Sequence, residues 1–370
     1  MTRPIPLSNH NSTGKRYPRV LLYGNNYASV INSLATGFEE IGVPVKAISP
    51  DYRRSIYNNY DKIYCICKHN NPGKLRHLYY MAMGILKLIP ALWWCDVLHI
   101  YGRQGNMAFR FFALFKRLKC ITFLGSDVRM PETELAVNPY FRYALENEAY
   151  ENKLEKQNDT PALLRFLTRL KYKFIAWDVD IFIDKRITGD FAIAPHASIN
   201  RHQTDTSDEL ISEKVQIIHS PTAPVSKGTA FVLQAIDKLK QKGLPFEFTL
   251  LKNISNEAFQ VAMQRADIYV DQLMWGAYGV AAQQAMQMGK VVVASLAGER
   301  IKKLYGPEIP IQNANIDNLA DVLERLILDK KEREEISRRS VEYYQEMHSP
   351  TRVAQKMLAA YNLFGAKTSG

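Results

Sequence analysis

The chain has 370 residues, of which 46% are hydrophobic and 23% charged, a composition that excludes a disordered protein. Its length favours two domains, because single cores stop growing near this size. The formal net charge of +11 indicates an anionic partner, for which nucleic acid, anionic lipid and phosphate-bearing substrates are the candidates.

The N-terminus and the cysteines indicate a cytoplasmic protein. Residues 1–17 are polar, lack the apolar segment of a signal peptide and are predicted to form a flexible tail. No run has the length of a membrane span, and the nearest, residues 78–94, is interpreted as a buried helix followed by a turn. The cysteines have no zinc-site spacing and are interpreted as reduced, buried thiols: Cys65, Cys67, Cys95 and Cys120.

The first half of the chain alternates short apolar runs with amphipathic stretches. Helices are predicted over residues 29–40, with Val30, Leu34 and Phe38 on one face, and around 107–118. Strands are predicted at 19–24, 43–49, 61–67, 96–102 and 120–125. This β-α-β alternation predicts a parallel, doubly wound sheet.

A long helical stretch, residues 131–176, interrupts the alternation. Within it, residues 162–175 carry Leu163, Phe166 and Leu167 on one face and no acid anywhere, so a basic amphipathic helix is predicted. Two interpretations stay open: docking on anionic lipid, or an ordinary core-packed helix with a solvated basic face. Another strand is predicted at 178–185.

A polar linker region is predicted over residues 202–214, and a second alternating series follows it. Strands are predicted at 215–219, 246–251, 267–272 and 290–295. Helices are predicted at 229–242, 255–265, 279–288, 318–327, 332–346 and 351–363. Because such sheets bind ligands at the carboxyl ends of their strands, a cleft between two of them is the expected site.

The stretch 271–290 places a strand end, a loop with Gly276 and Gly279, and a helix start in direct succession. Free backbone N–H groups and the helix dipole at such a junction favour an anion such as phosphate. Gln284, five residues past Gly279, is placed to hydrogen-bond a sugar hydroxyl. The alternative is a plain strand-loop-helix junction with glycine used for the turn.

The stretch 215–229 ends a strand in a Pro- and Ser-rich loop, and Lys227-Gly228 then opens a helix. A lysine there is positioned to meet a phosphate as a point charge. The alternative, an exposed lysine at a helix start, is disfavoured because the helix dipole repels positive charge at that end.

Together these stretches resemble the donor-binding half of the GT-B glycosyltransferases in the large retaining family of phosphatidylinositol mannosyltransferases and bacterial polysaccharide enzymes. The resemblance is carried by Lys227-Gly228, Tyr278-Gly279, Gln284-Ala285-Met286 and Gly289-Lys290, and by the loop 124–129 in the first half. It spans residues 19–364.

The resemblance implies an α/β protein with two Rossmann-like domains facing across a cleft. The expected parts are a tail (1–17), an acceptor domain (18–205) with the helical insertion 131–176, a nucleotide-sugar domain (206–348), and a C-terminal helix (349–370) that returns to the first domain.

The resemblance also implies the site residues. The donor-binding set is Lys227, Gly228, Trp275, Gly276, Tyr278, Gly279, Val280 and Gln284. The residues expected on the acceptor side are Gly24, Asn25, Ser126 and Arg129, and those expected at the reaction centre are His99, Tyr101 and Asp127.

The activity implied is retaining transfer of a sugar from a nucleotide-sugar donor to a glycan or lipid-linked acceptor, with neither a metal nor a cofactor. The pair Asp178 and Asp180 has metal-site spacing but is interpreted as structural, because it lies at a strand start. An anionic membrane surface is a further candidate partner, which would place a cytoplasmic protein at the inner face of the membrane. Nucleic acid is not expected, since no interleaved basic-aromatic motif occurs.

The chain departs from the family pattern at several positions. The two acids that the family carries eight positions apart are replaced by Gly276 and Gln284, and Leu124 and Tyr101 stand where histidines are common. An amide keeps hydrogen bonding but loses the charge. These departures support the alternative, a catalytically weakened GT-B module that binds a glycan or nucleotide sugar or partners an active glycosyltransferase.

Overall fold

The computed structural model describes residues 16–51, 62–67, 74–199, 214–297, 304, 306 and 308–366. Most of the predicted tail and nearly all of the predicted linker region lie outside these residues. The chain divides into two compact units, the first comprising Met1–Arg129, Asn158–Ser198 and His348–Gly370, and the second Met130–Gln157 and Ile199–Met347. Each unit is built on its own parallel sheet.

The first unit contains a seven-stranded sheet in the order β3-β2-β1-β4-β5-β6-β7. Its strands are β1 (Val20–Gly24), β2 (Val45–Asp51), β3 (Ile63–Cys67), β4 (Val97–Tyr101), β5 (Leu118–Thr122), β6 (Tyr172–Ala176) and β7 (Ala192–Ile193). The central strands β1 and β4 are buried along their whole length, as expected for apolar runs covered on both faces. Leu22 pairs with Ala47 on one side and with His99 on the other.

The helices of the first unit connect these strands, and the last helix of the chain joins them. They are α1 (Val30–Glu40), α2 (Lys74–Trp94), α3 (Asn106–Ala113), α6 (Thr160–Arg169), α7 (Lys185–Thr188) and α14 (Pro350–Leu363). Helix α14 packs on α1, and its Tyr361 is fully buried in this unit. The predicted return of the C-terminal helix to the first unit is therefore confirmed.

Three local predictions in this unit are wrong. The run expected to be a buried helix followed by a turn is one helix, α2, which continues through Pro90 and leaves Leu86 65% exposed and Trp93 67% exposed. The helix predicted over 162–175 ends at Arg169, because Lys171 adopts a left-handed conformation (φ 62°) and the chain then enters β6. Residues 178–185 form a 3₁₀ turn, Asp180–Phe182, rather than a strand.

The second unit contains a five-stranded sheet in the order β12-β11-β10-β8-β9. Its strands are β8 (Val215–His219), β9 (Phe246–Leu250), β10 (Ile268–Val270), β11 (Val291–Ala294) and β12 (Gln312–Asn313). Its helices are α4 (Pro131–Val137), α5 (Phe141–Leu145), α8 (Pro224–Lys227), α9 (Thr229–Gln241), α10 (Asn256–Arg265), α11 (Val280–Gln287), α12 (Leu319–Leu328) and α13 (Lys330–Met347).

Residues 130–157 belong to the second unit, whereas the sequence grouped the stretch 131–176 with the first domain. The reason is apolar burial. Phe141, Ala144 and Tyr150 enter the core of the second unit beside residues of β8, α9 and β10. These three side chains are 0–2% exposed, so the segment is held by the same hydrophobic contacts that hold the sheet.

The predicted fold class, α/β with two parallel sheets, is confirmed. Of the four cysteines, Cys65, Cys95 and Cys120 are buried free thiols, and burial raises the pKa of the Cys95 thiol to about 12. None of the helices that the structure describes combines the length and apolarity needed to cross a membrane.

Candidate functional site

The order of strands in the second unit defines where a ligand site should lie. Read from β9, the sheet has the doubly wound order 2-1-3-4-5, whose topological switch point falls between β8 and β10. His219 at the end of β8 pairs with Val270 at the end of β10. Ligands of such sheets bind beyond the carboxyl ends of these two strands, and both stretches singled out in the sequence begin there.

An ion pair joins the two loops at this point. The Lys227 ammonium donates to Asp271 Oδ1 over 2.6 Å, and the backbone N–H of Gly279 donates to Asp271 Oδ2 over 2.7 Å. The Asp271 side chain is fully buried and that of Lys227 is 10% exposed. A third donor, the Tyr269 hydroxyl, lies 3.3 Å from Asp271 Oδ1. One carboxylate therefore fixes the positions of the lysine and the start of α11.

The ammonium of Lys227 has capacity beyond this ion pair. A lysine ammonium carries three N–H donors, and among the described residues Asp271 is its one hydrogen-bond acceptor. Two donors therefore remain for a ligand. The sequence did not identify Asp271 as a site residue, and its position at the end of a buried strand, directly before Gln272, was the available signal.

His219 positions the loop that carries Lys227. Its Nδ1 donates to the Val270 carbonyl over 2.8 Å, so Nε2 is the acceptor for the Thr229 hydroxyl at 3.0 Å. Burial lowers the pKa of His219 to about 4, and the nearby Lys227 charge adds to this, so the ring is neutral at pH 7. The neutral ring ties β8 to β10 and to the first turn of α9.

Gly228 closes the turn between α8 and α9 in a left-handed conformation, with φ 73°. A Cβ at this position would approach Leu273 Cβ and Met274 Cε to 3.0 Å, so both the backbone and the packing require glycine. The Leu273 N–H also donates to the Lys227 carbonyl over 3.2 Å. The loops after β8 and β10 are therefore in direct contact.

Gly276 is packed so closely that no larger residue fits without a shift. A Cβ there would lie 2.2 Å from the Ala297 Cβ, and the Ala297 N–H donates to the Gly276 carbonyl over 2.9 Å. The acidic residue that the related enzymes carry at this place is thus excluded by the local packing. Trp275, the preceding residue, packs partly buried against the hydrophobic core.

The first turns of α11 hold the remaining donor-site residues. Val280 opens the helix, and Tyr278 just before it is buried with its hydroxyl 3.3 Å from that of Tyr343. Gln284 is 8% exposed, and its Oε1 accepts from Gln260 Nε2 over 3.1 Å. This amide pair shows how glutamine is accommodated where the family has an acid, because Gln260 supplies a neutral donor.

Two side chains of the segment 130–157 also reach these loops. The Glu151 carboxylate accepts from the N–H groups of Val225 and Ser226 at 2.8 and 3.1 Å and from the Ser226 hydroxyl at 2.7 Å. The Asn138 amide donates to the Met274 carbonyl over 2.7 Å. These contacts link positions more than 70 residues apart in sequence, and no local pattern could have revealed them.

In the first unit, the loops after β4 and β5 converge on Asp127. Its carboxylate accepts from the N–H groups of Leu124 and Gly125, both at 3.0 Å, and of Arg103 at 3.1 Å. Burial raises the pKa of Asp127 from its ordinary 3.8 to about 6, although these N–H groups oppose the shift. The side chain organises the two loops and stays near neutral pH in its titration.

His99 and Tyr101 on β4 are enclosed by the first unit. The ring nitrogens of His99 lie 2.7 Å from the Tyr361 hydroxyl and 2.8 Å from the Thr122 hydroxyl, and its ring stacks on Tyr101. Burial, with a smaller effect from His196, lowers the pKa of His99 to about 3, and burial raises the pKa of Tyr101. The structure gives both residues packing roles, so their catalytic roles stay predictions.

The residues predicted on the acceptor side lie at the switch point of the first sheet, between β1 and β4. A Cβ on Gly24 would lie 2.2 Å from the Tyr101 carbonyl, and Asn25 follows with a buried Oδ1 that has no hydrogen-bond partner among the described residues. Ser126 is exposed, whereas Arg129 is buried, and the backbone carbonyls of both accept from Asn158.

The predicted site residues therefore form two groups. The donor-binding residues gather at the carboxyl ends of β8 and β10 in the second unit, and the other predicted residues gather at those of β1, β4 and β5 in the first. Within the described ranges, no group of three or more His, Cys, Asp and Glu side chains could hold a metal ion.

Comparison with solved structures establishes the class of fold. The chain is similar to sucrose-phosphate synthase from Thermosynechococcus elongatus (TM-score 0.62, 13% identity, covering 94% of this chain and 100% of that one). It is also similar to Anabaena HepE in complex with UDP and glucose (0.55, 14%, 93% and 100%) and to S. aureus TarM in complex with Fondaparinux, alpha-GlcNAc-glycerol and UDP (0.57, 11%, 93% and 100%). This fold is that of the GT-B glycosyltransferases.

Within this class, residues 211–342 match the protein family described as Glycosyl transferases group 1. The recognition made from the sequence, a GT-B glycosyltransferase of this type, is confirmed. The matched range includes Lys227, Asp271, Gly279 and Gln284, so the family assignment and the switch-point geometry refer to the same part of the chain. A search of curated protein sequences gave no significant match.

Proposed function

We propose that the chain transfers a sugar from a nucleotide-sugar donor to a glycan or lipid-linked acceptor, with retention of configuration and with protein groups rather than a metal at the diphosphate. The observation that carries this proposal is the hydrogen-bonded set of Lys227, Asp271 and Gly279 at the switch point of the second sheet. It brings an ammonium and a helix N-terminus together at the place where doubly wound sheets bind ligands.

The leaving diphosphate would be stabilised by charges that are already in position. The two N–H donors of Lys227 not used by Asp271 can reach phosphate oxygens, and the dipole of α11 favours the same negative charge. Asp271 acts as a positioning residue, because it holds the ammonium while contributing no group to the donor. Its carboxylate also keeps the buried lysine charged in the absence of substrate.

The remaining predicted residues are given roles around this centre. Gln284 would hydrogen-bond the donor ribose, while the packed turn Trp275-Gly276 and the backbone of Tyr278 and Val280 would shape the sugar pocket. HepE and TarM were each solved with UDP, which supports a nucleoside diphosphate as the ligand class here. We further propose that the acceptor is recognised by the first unit, through Asn25, Ser126, Arg129 and Asp127.

A second candidate function is a GT-B module that binds a nucleotide sugar without efficient transfer. Two observations favour it. The place of the family acid at Gly276 is closed by Ala297, and both ring nitrogens of His99 are engaged in the core. Under this alternative the donor site binds and orders a ligand, but no group near the sugar assists its departure.

Calorimetric titration with nucleoside diphosphates and their sugars tests the donor site directly. We expect one of them to bind, and Lys227→Met to weaken its binding by about tenfold or more, since a charge-assisted contact to phosphate contributes roughly 1.5–3 kcal/mol. Lys242→Met is the matched control, because that lysine forms an exposed ion pair with Glu324 in the same unit. Equal binding by parent and Lys227→Met would refute the assignment.

A transfer assay then separates the two candidate functions. Release of nucleoside diphosphate together with a glycosylated acceptor supports the transferase. Tight binding of the nucleotide sugar, with no turnover across glycan and lipid-linked acceptors, supports the binding module. The anomeric configuration of the product, read by NMR, tests the proposed retention.

A further inference from the structure

Helix α2 of the first unit has an unusual exposed face. The described side chains that face inward are apolar, and Leu88, Ala91 and Leu92 are 0–6% exposed. The outward side chains are apolar as well, which is not expected of a helix that simply faces water. The exposed large side chains of this helix are Tyr79 (60%), Ile85 (48%), Leu86 (65%), Ile89 (36%) and Trp93 (67%).

These residues form one continuous ridge. Tyr79, Leu86 and Trp93 are seven residues apart, which places them on the same side of the helix and spreads them over about 21 Å. At the C-terminal end the Trp93 ring lies 5.8 Å from the Phe115 ring, next to Leu114, which is 78% exposed. We call the exposed residues of α2 together with Leu114 the α2 ridge.

The surroundings of the α2 ridge are strongly basic. Between Lys62 and Ser126 the sequence has ten lysines and arginines and one acid, Asp96. That acid is already neutralised, because Arg19 donates to its two carboxylate oxygens over 3.1 and 3.0 Å. The basic residues of this stretch are Lys62, Lys68, Lys74, Arg76, Lys87, Arg103, Arg110, Lys116, Arg117 and Lys119.

Some of these cations flank the ridge directly. Lys87 is exposed on α2 itself, beside the Tyr64 ring at 6.0 Å, and Lys116 is exposed after Leu114. Arg117 donates to the Trp93 carbonyl over 2.8 Å, so its guanidinium is held at the end of the helix. Apolar and aromatic side chains with lysines beside them are the arrangement found in helices that lie in a membrane interface.

We infer that the α2 ridge is a docking surface for an anionic phospholipid membrane. Its apolar side chains would enter the boundary between headgroups and acyl chains, and Trp93 and Tyr79 suit that depth because their rings are amphipathic. The flanking cations would contact anionic headgroups, which explains an acid-free surface around an apolar ridge. The contact lies in the plane of the membrane, and it is independent of donor binding.

Co-sedimentation of the full chain with vesicles tests this inference. We expect binding to vesicles of phosphatidylcholine mixed with phosphatidylglycerol, weaker binding to phosphatidylcholine alone, and a decrease with rising salt. The double substitution Leu86→Glu with Trp93→Glu should weaken binding to the mixed vesicles by about tenfold or more, because it removes apolar contact and adds charge to the interface. Both side chains are mostly exposed, so the fold should be unaffected, which circular dichroism can verify.

Leu328→Glu is the matched control, because Leu328 is 62% exposed and lies on α12 of the second unit. It should bind vesicles like the parent. Replacing Lys87 and Lys116 by glutamine should reduce the salt-sensitive part of binding by about fivefold for each residue. Such a result would separate the electrostatic contribution from the apolar one.

Several outcomes would overturn the inference. Equal vesicle binding by the parent and the ridge variant would place the contact elsewhere, and no binding of the parent to either vesicle would remove it. A parent that is dimeric by light scattering, with a ridge variant that is monomeric, would assign the ridge to a second copy of the chain. None of these outcomes depends on the donor site, since the assay contains no nucleotide.

Discussion

Replacing Asp271 by asparagine should strongly destabilise the second unit. The substitution keeps the size of the side chain but leaves the Lys227 ammonium, which is 10% exposed, without its anionic partner. Removing one member of a buried ion pair typically costs about 3–5 kcal/mol. The amide oxygen can still accept from the Gly279 N–H, so we expect the lower end of that range, about 3 kcal/mol.

The reciprocal change, Lys227→Met, should cost less. Asp271 then keeps two donors, the Gly279 N–H at 2.7 Å and the Tyr269 hydroxyl at 3.3 Å, so the expected loss is about 2 kcal/mol. The double variant leaves no unpaired charge. Its free energy of unfolding should therefore exceed the value expected from adding the two losses, by about 2 kcal/mol of coupling between the residues.

Hydrogen exchange of the amides in β8 and β10 is the suitable measurement. It reports the opening free energy of the second unit separately from that of the first. The pair Lys242–Glu324, whose side chains are 51% and 29% exposed, provides the control cycle, and its coupling should stay below about 1 kcal/mol. If the Lys227–Asp271 coupling were as small as that of the control pair, the ion pair would not organise the site as argued.

Three further predictions concern other positions. Gly276→Ala should destabilise the second unit by about 1–3 kcal/mol in thermal unfolding, because its Cβ would meet Ala297 at 2.2 Å, whereas Gly105→Ala, with open space around it, should have little effect. The folded-state pKa of Asp127 is raised from 3.8 to about 6, so the first unit should lose stability as pH rises from about 4 to about 6, and Asp127→Asn should remove that slope when exchange is followed against pH. Glu151→Ala should raise the donor KM about fivefold with kcat little changed, and Glu151→Gln should restore part of it, since the carboxylate binds two N–H groups of the Lys227 loop; a change confined to kcat would contradict this role.

The sequence predicted most of the regular structure because buried parallel strands and amphipathic helices leave clear patterns. The strand predicted over 215–219 matches β8 at both ends, and the helix predicted over 29–40 differs from α1 by one residue. The helix predicted over 162–175 was wrong because apolar residues continue from α6 into β6, so one pattern covered two elements. Only the left-handed turn at Lys171 and the pairing of β6 with β5 separate them.

The donor-site loops could also be predicted in part. A glycine-containing loop between a strand and a helix is a local feature, so Lys227, Gly228 and Gly279 could be found from their neighbours in sequence. The exposed face of α2 could not, because an apolar run looks the same whether its outer side is covered or open. Burial is decided by what packs against a helix, and sequence periodicity does not record that.

By itself, then, the sequence determined the two parallel sheets, the order of their elements and the loops that begin the donor site, because each depends on residues close together along the chain. The tertiary structure alone decided which groups those loops hold. Asp271 meets the lysine 44 positions before it, and Glu151 meets the loop 74 positions after it. Such contacts arise when strands and helices pack, and the charge and hydrogen bonding of the site follow from them.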